Sequence, residues 1–133
     1  MGKRILIVDD SLDDVGYLIG FFQKNSHYVT HVKYARRGME ELDTDIYDAA
    51  VFDMHLPLEE GGNRNLPNGM KLAMHARNTC PGMPFVIHAG HLDVSPMTDL
   101  EEVLMVEGIK YFRKSDKDAE GVLNYFESEW DKE

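Results

Sequence analysis

The sequence has one cysteine, few basic residues and no long apolar run, and each shortage excludes a class of protein. A lone Cys80 makes no intrachain disulfide, and no cysteine pair stands at zinc-ligand spacing, so a reducing cytoplasm fits best. The 14 Lys and Arg face 24 Asp and Glu, a formal net charge of −10 at pH 7, which argues against a sequence-independent grip on nucleic acid. Nothing approaches the roughly 18 consecutive apolar residues of a spanning helix. Lys3 and Arg4 do precede an apolar run, but Asp9 and Asp10 end it too soon for a secretory signal. What is present is a chain of 133 residues, 43% hydrophobic and 29% charged, enough for one acidic, soluble domain around one core. A cytoplasmic location with no membrane partner is the expectation.

Ile5 to Val8 is a continuous apolar run of the kind buried on both faces of a parallel sheet. Comparable runs follow at Ala49 to Phe52, Phe85 to Ile87 and Ile109 to Phe112, with a weaker, alternating version at Tyr28 to Val32. Between them, Leu12, Val15, Leu18, Ile19 and Phe22 recur at helical steps behind a plausible N-cap, Ser11. Further helices are expected over Arg36 to Leu42, from about Asn68 to Arg77, from Ser95 and Pro96 to near Gly108, and from about Lys117 to Trp130. Five alternations of strand and helix predict an open, doubly wound α/β sheet in three layers, because parallel neighbours need crossover helices. Phe126 and Trp130, four residues apart, share a helix face and read more readily as core than as interface.

In such a sheet, ligands sit outside the carboxyl ends of the strands. There the first strand runs into Asp9 and Asp10, the third into Asp53 and the fifth into Arg113 and Lys114. Singly, these aspartates read as helix or turn caps. Together they form a cluster of like charge that wants a cation, and Mg²⁺ with its preference for oxygen ligands is the natural candidate. The connection from Leu58 to Asn68, with Gly61, Gly62, Arg64 and Pro67, exceeds the roughly 2 to 6 residues of an ordinary strand-to-helix loop. It reads either as a tolerated surface insertion or as a lid or partner-contact loop.

Ile7-Val8-Asp9-Asp10-Ser11, Asp53-Met54-His55-Leu56-Pro57 and Tyr111-Phe112-Arg113-Lys114 resemble the receiver domains of bacterial two-component response regulators. The stretch from Pro84 to Val94 looks like that family's fourth strand and following loop, and only the insertion after Pro57 has no counterpart. The resemblance spans almost all of residues 1–133, read as a single receiver domain with an extended loop at about 58–68. It implies a flavodoxin-like fold with strand order 2-1-3-4-5. It also implies phosphorylation of Asp53 by a phosphohistidine on a sensor histidine kinase or phosphotransfer protein, then hydrolysis. Asp10 would ligate Mg²⁺ directly, Asp9 through water, with Asp53 and the backbone carbonyl of His55 completing the protein share. Lys114 would neutralise the phosphoryl group and pair with Asp53 beforehand. The segment of about 96–130 would form the face for an output protein or a second copy, and the output is expected in a partner or outside this stretch.

Two positions depart from the family: Ala89 stands where a Ser or Thr hydroxyl normally bonds the phosphoryl group, and Ser115 replaces a usual proline. His55 and His91 stand where the family tunes dephosphorylation. With Ala89 beneath it, Tyr111, the family's switch aromatic, has room to sit inward permanently. His88 reads as a strand histidine satisfied in the core. The leading expectation is a phosphoaccepting receiver, not a conventional enzyme although it would catalyse its own phosphotransfer. The alternatives are a receiver-fold interaction module indifferent to phosphorylation and, more remotely, a magnesium-dependent hydrolase of the haloacid dehalogenase type, which wants Asp-x-Asp rather than the adjacent pair seen here.

Overall fold

The computed structural model describes residues 2–90 and 97–132. The chain alternates β1 (Arg4–Val8), α1 (Leu12–Lys24), β2 (Tyr28–Val32), α2 (Ala35–Thr44), β3 (Ala49–Asp53), α3 (Asn68–Thr79), β4 (Phe85–Ala89), α4 (Met97–Glu107), β5 (Tyr111–Arg113) and α5 (Ala119–Trp130). The strands form one five-stranded sheet in the order β2-β1-β3-β4-β5, every pairing parallel. This is the doubly wound sheet expected from the alternation, in the flavodoxin-like strand order that the family resemblance implies. No helix among the described residues is long and apolar enough to cross a membrane.

Side chains alternate faces along a strand, so the two covered faces of the sheet each take every second residue. Leu6, Val8, Ala50, Phe52, Ile87 and Ala89 join one core with Leu42, Leu72, Ala73 and Leu104, from α2, α3 and α4. Ile5, Ile7, Ala49, Val51 and Val86 join the other with Val15, Leu18, Phe22, Val122 and Phe126, from α1 and α5. Carrying the second series two residues onward reaches Asp9, Asp53 and His88. The polar edge is thus the continuation of an inner face, and that is why these groups are buried.

Most boundaries fall where the sequence pattern puts them, and the exceptions have local causes. Ile109 closes the end of α4 rather than opening a strand: Gly108 has φ of +69°, and the Ile109 amide donates to the Leu104 carbonyl at 2.8 Å. β5 therefore starts at Tyr111. A 3₁₀ turn over Lys114–Asp116 and a left-handed Lys117 delay α5 to Ala119, capped by Asp118, whose side chain accepts from the Gly121 amide. Ser11 stands at the start of α1 but makes no side-chain cap. The buried stripe of α3 is Asn68, Gly69, Leu72, Ala73 and Ala76, leaving Met70 and Met74 half-buried and Arg77 exposed. Phe126 is core as expected, and Trp130 packs on it and donates from Nε1 to the Asp48 carbonyl at 2.7 Å. The expected helix start at Ser95 and Pro96 lies outside the described residues.

The long connection after β3 is tied down along its length. Pro57 and Leu58 carbonyls accept from the Ala35 and Arg36 amides at 3.0 and 2.9 Å, so the loop satisfies the first turn of α2. Arg36 pairs with Glu59 at 2.6 Å, and Asn68 Nδ2, buried, donates to the Leu56 carbonyl at 2.8 Å. Where the loop enters α3, Gly69 lies against the end of β3: a Cβ there would stand 2.2 Å from the Asp53 carbonyl oxygen and 2.7 Å from Met54 Cα.

Backbone atoms cannot swing aside as a side-chain tip can, so Gly69→Ala is expected to destabilise the fold by about 1 to 3 kcal/mol. Gly16, helical, exposed and with nothing within 4 Å of a Cβ, provides the contrast. Gly16→Ala should add about 0.5 to 1 kcal/mol. Urea unfolding of the two variants checks both signs.

Candidate functional site

Three loops at the carboxyl edge of the sheet bring four carboxylates and one ammonium together. Lys114 Nζ lies 2.9 Å from Asp9 Oδ2, 3.0 Å from Asp14 Oδ2 and 3.2 Å from Asp53 Oδ1. Asp9, Asp10 and Asp53 each offer a carboxylate oxygen within 4.8 Å of the others. Asp9 and Asp53 are only 1% and 5% exposed, whereas Asp10 is half-buried. A cleft of about 470 Å³ opens above them, lined by Asp10, Asp14, Asp53, His55, Arg64 and Lys114 among others.

The backbone holds Asp9 from several sides. Its amide donates to the Val32 carbonyl at 3.0 Å, and its Oδ1 accepts from the Ser11 amide at 2.9 Å. Its carbonyl accepts from His31 at 2.8 Å, which places the His31 proton on Nε2. Asp9 Oδ2 is buried and, among the described residues, has only its ion pair with Lys114 and no aligned hydrogen bond. An oxygen left in that state among hard oxygen donors of net negative charge suits a divalent cation such as Mg²⁺.

The electrostatics carry the mark of crowding. Burial and the adjacent Asp9 carboxylate push Asp53 up to about 8, well above the ordinary carboxyl value of 3.8. Burial likewise raises Asp9, and Lys114 opposes it without prevailing. Lys114 feels burial in the other direction, but Asp53 and Asp9 outweigh it and hold the ammonium above its ordinary value.

His88 is fully buried beside this cluster, opposite Asp53 in the strand register. Its Nε2 meets the Tyr17 hydroxyl at 2.8 Å, while Nδ1 has no hydrogen-bond partner among the described residues. The core histidine of the sequence reading is thus only half satisfied. Burial, helped by Lys114, lowers it to about 4 from an ordinary 6.5, so it is neutral. Ala89 is fully buried at the end of β4, Tyr111 is half-buried against the α3-side core, and His55 lines the cleft. His91 lies outside the described residues. The expected pairing of Lys114 with Asp53 is present, but Asp14, His31, Tyr17 and the Arg64 contact described below were not singled out from sequence. Arg64, the sole basic residue of the long loop, reaches Asp10 Oδ2 at 2.5 Å.

No protein-family model matches the sequence, and no curated protein matches it. Solved structures do match. A CheY-like response regulator receiver domain from Methanospirillum hungatei JF-1 has a TM-score of 0.76 and 20% identity, with 100% of both chains covered. The receiver domain of Francisella response regulator 1452 has a TM-score of 0.77 and 17% identity, with 98% of each chain covered. The receiver domain of a sensor histidine kinase from Pseudomonas aeruginosa PAO1, with magnesium coordinated in its active-site cleft, has a TM-score of 0.74 and 18% identity, covering 96% of this chain and 97% of that one. The chain has the receiver fold, shared across nearly its whole length.

Two outcomes follow from the charges. Raised Asp53 and Asp9 favour the folded protein at low pH, and that stability is lost as pH climbs from about 4 toward about 8. In EDTA at pH 8, Asp53→Asn should therefore be more stable than wild type by on the order of 1 to 3 kcal/mol, an advantage that shrinks by pH 5; thermal melts at both pH values measure it. His88 has the opposite sign: its lowered value costs the fold stability as pH falls from 6.5 toward about 4. Relative to His88→Leu, wild type should weaken across that interval, and melts of the pair in parallel buffers would reveal a constant difference if His88 were not buried neutral.

Proposed function

We propose that the chain is a phosphoaccepting receiver of a two-component phosphorelay, with Asp53 as the acceptor. The observation that carries this reading is the convergence of Asp9, Asp10, Asp53 and Lys114 on one cleft at the carboxyl edge of a receiver-fold sheet. A scaffold with no phosphoryl chemistry has no use for so costly a cluster of like charge. Receiver domains with this fold occur in sensor kinases and response regulators, which supports a kinase or phosphotransfer protein as the donor in general terms.

In this reading Asp10, Asp53 and the His55 carbonyl would hold Mg²⁺ directly, and Asp9 would hold it through water. When bound, the ion supplies positive charge to the phosphoryl oxygens and to the crowded carboxylates. A carboxylate oxygen of Asp53 attacks the phosphorus of a phosphohistidine. The new O–P bond forms as the P–N bond breaks, and the imidazole leaves with a proton from solvent. Lys114, released from part of its bridging role, pairs with the phosphoryl oxygens. Water then cleaves the acyl phosphate, returning the carboxylate and inorganic phosphate, and in this reading His55 and His91 tune its access.

Ala89 is the one site residue that resists this scheme. A methyl cannot give the charge-assisted hydrogen bond of a hydroxyl, worth about 1.5 to 3 kcal/mol to the active conformation. That specific loss favours a second reading, a receiver-fold interaction module whose contacts do not depend on phosphorylation. In either case the segment of about 96–130 is the proposed partner or dimer face. Val103, Met105 and Val106 of α4 are 42%, 69% and 79% exposed there, apolar area of a kind that suits a protein contact.

Incubation with a small phosphodonor such as acetyl phosphate, with and without Mg²⁺, separates the two readings by intact mass. A single phosphoryl adduct that requires Mg²⁺ and is absent from Asp53→Asn is expected. Mg²⁺ binding with no adduct would support the phosphorylation-independent module instead.

A further inference from the structure

Each of the four carboxylates of the cleft already touches one of two protein cations. Lys114 spans Asp9, Asp14 and Asp53, and the remaining Asp10 is held by Arg64 at 2.5 Å. Arg64 belongs to the inserted loop, and its side chain is 70% exposed against 10% for Asp10, so the guanidinium covers the carboxylate from the solvent side. Arg64 also stands on the boundary of two clefts. One lies over Asp53 and Lys114; the other, of about 300 Å³, is lined by Asp10, Lys33, Tyr34 and the Gly61-Gly62 turn.

The loop presents this arginine as an ordered segment. Gly61 has φ of +80°, a conformation that favours glycine, and the Gly62 amide donates to the Glu59 carbonyl at 2.9 Å. Asn63 Oδ1 accepts from the Asn65 amide at 2.8 Å, folding the chain around Arg64. Both ends are anchored, at α2 through the Ala35 and Arg36 amides and at α3 through Asn68. The middle of the loop meets the cleft through Arg64 and Asn65.

A divalent ion entering among Asp9, Asp10 and Asp53 needs the charge of Asp10 and repels the guanidinium beside it. We propose that Arg64 is a tethered counter-ion that the cation must displace, so that metal loading of the cleft and release of the loop around Arg64 are one equilibrium. Linkage makes this reciprocal: a partner group that draws Arg64 away raises metal affinity by the same factor. The inference rests on the metal set assigned under the proposed function.

Calorimetric titration with Mg²⁺ of wild type, Arg64→Gln and Lys33→Gln tests it, together with amide exchange at Gly62 and Asn65. Arg64→Gln is expected to bind Mg²⁺ about two- to fivefold tighter, the effect of losing a largely exposed ion pair. Lys33→Gln, which removes an equal charge from the neighbouring cleft that Asp10 and Arg64 also line but no ion pair with Asp10, should change affinity less. Mg²⁺ should speed exchange at Gly62 and Asn65 in wild type, whereas Arg64→Gln should exchange fast without it. Equal Mg²⁺ affinity in wild type and Arg64→Gln, or equal tightening in both variants, overturns the inference and leaves the metal reading standing. Failure of all three proteins to bind Mg²⁺ overturns both.

Discussion

The structure at the carboxyl edge of the sheet depends on one ammonium group. Lys114 is the common partner of three carboxylates contributed by β3 and by the segments that follow β1. Without it, Asp9 and Asp53 would hold oxygens within 4.8 Å of each other with no ammonium between them, and like charges interact by roughly 4 kcal/mol at 4 Å and intermediate dielectric. Its position is fixed by the 3₁₀ turn that ends β5, so a short irregular segment at one edge of the sheet supplies the charge that opposes burial at its centre. Asp53 remains raised even so, because burial and the neighbouring Asp9 outweigh the ammonium.

The acidic cluster grows out of the hydrophobic fold rather than being added to it. The same every-second-residue rule that sends Ile5, Ile7, Ala49, Val51 and Val86 into the α1–α5 core sends Asp9, Asp53 and His88 toward the same side at the strand ends. His31 and Ser11 then fix the Asp9 backbone and one of its oxygens. The price of the arrangement is visible in two buried atoms, Asp9 Oδ2 and His88 Nδ1, that have no hydrogen-bond partner among the described residues.

How far the sequence foretold this depends on whether a feature is local. The five strands and their parallel pairing were legible because apolar runs such as Ile5–Val8 and Ala49–Phe52 alternate with helical stretches, whereas the order of the strands came from the family resemblance. Asp9, Asp10, Asp53 and Lys114 were legible because they follow those runs directly. Asp14 was not, since its pairing with Lys114 joins positions 100 residues apart, although two acidic residues in the first turn of α1 gave a faint sign. Arg64 was named only as part of a polar loop; being the sole cation in a segment that leaves an acidic strand end was the available clue. Tyr17 and His88 meet only after α1 has packed on β4, and no spacing rule relates them. The late start of α5 turned on one backbone angle at Lys117, which its side chain does not announce.

Ala89 bears on the number of states that this edge can hold. A serine or threonine there would choose among three staggered rotamers, and its hydroxyl would register in which well it sat whether the cleft was filled. Alanine has no such torsion, so the end of β4 contributes no discrete memory of the ligand and no rotamer entropy to be lost when one arrives.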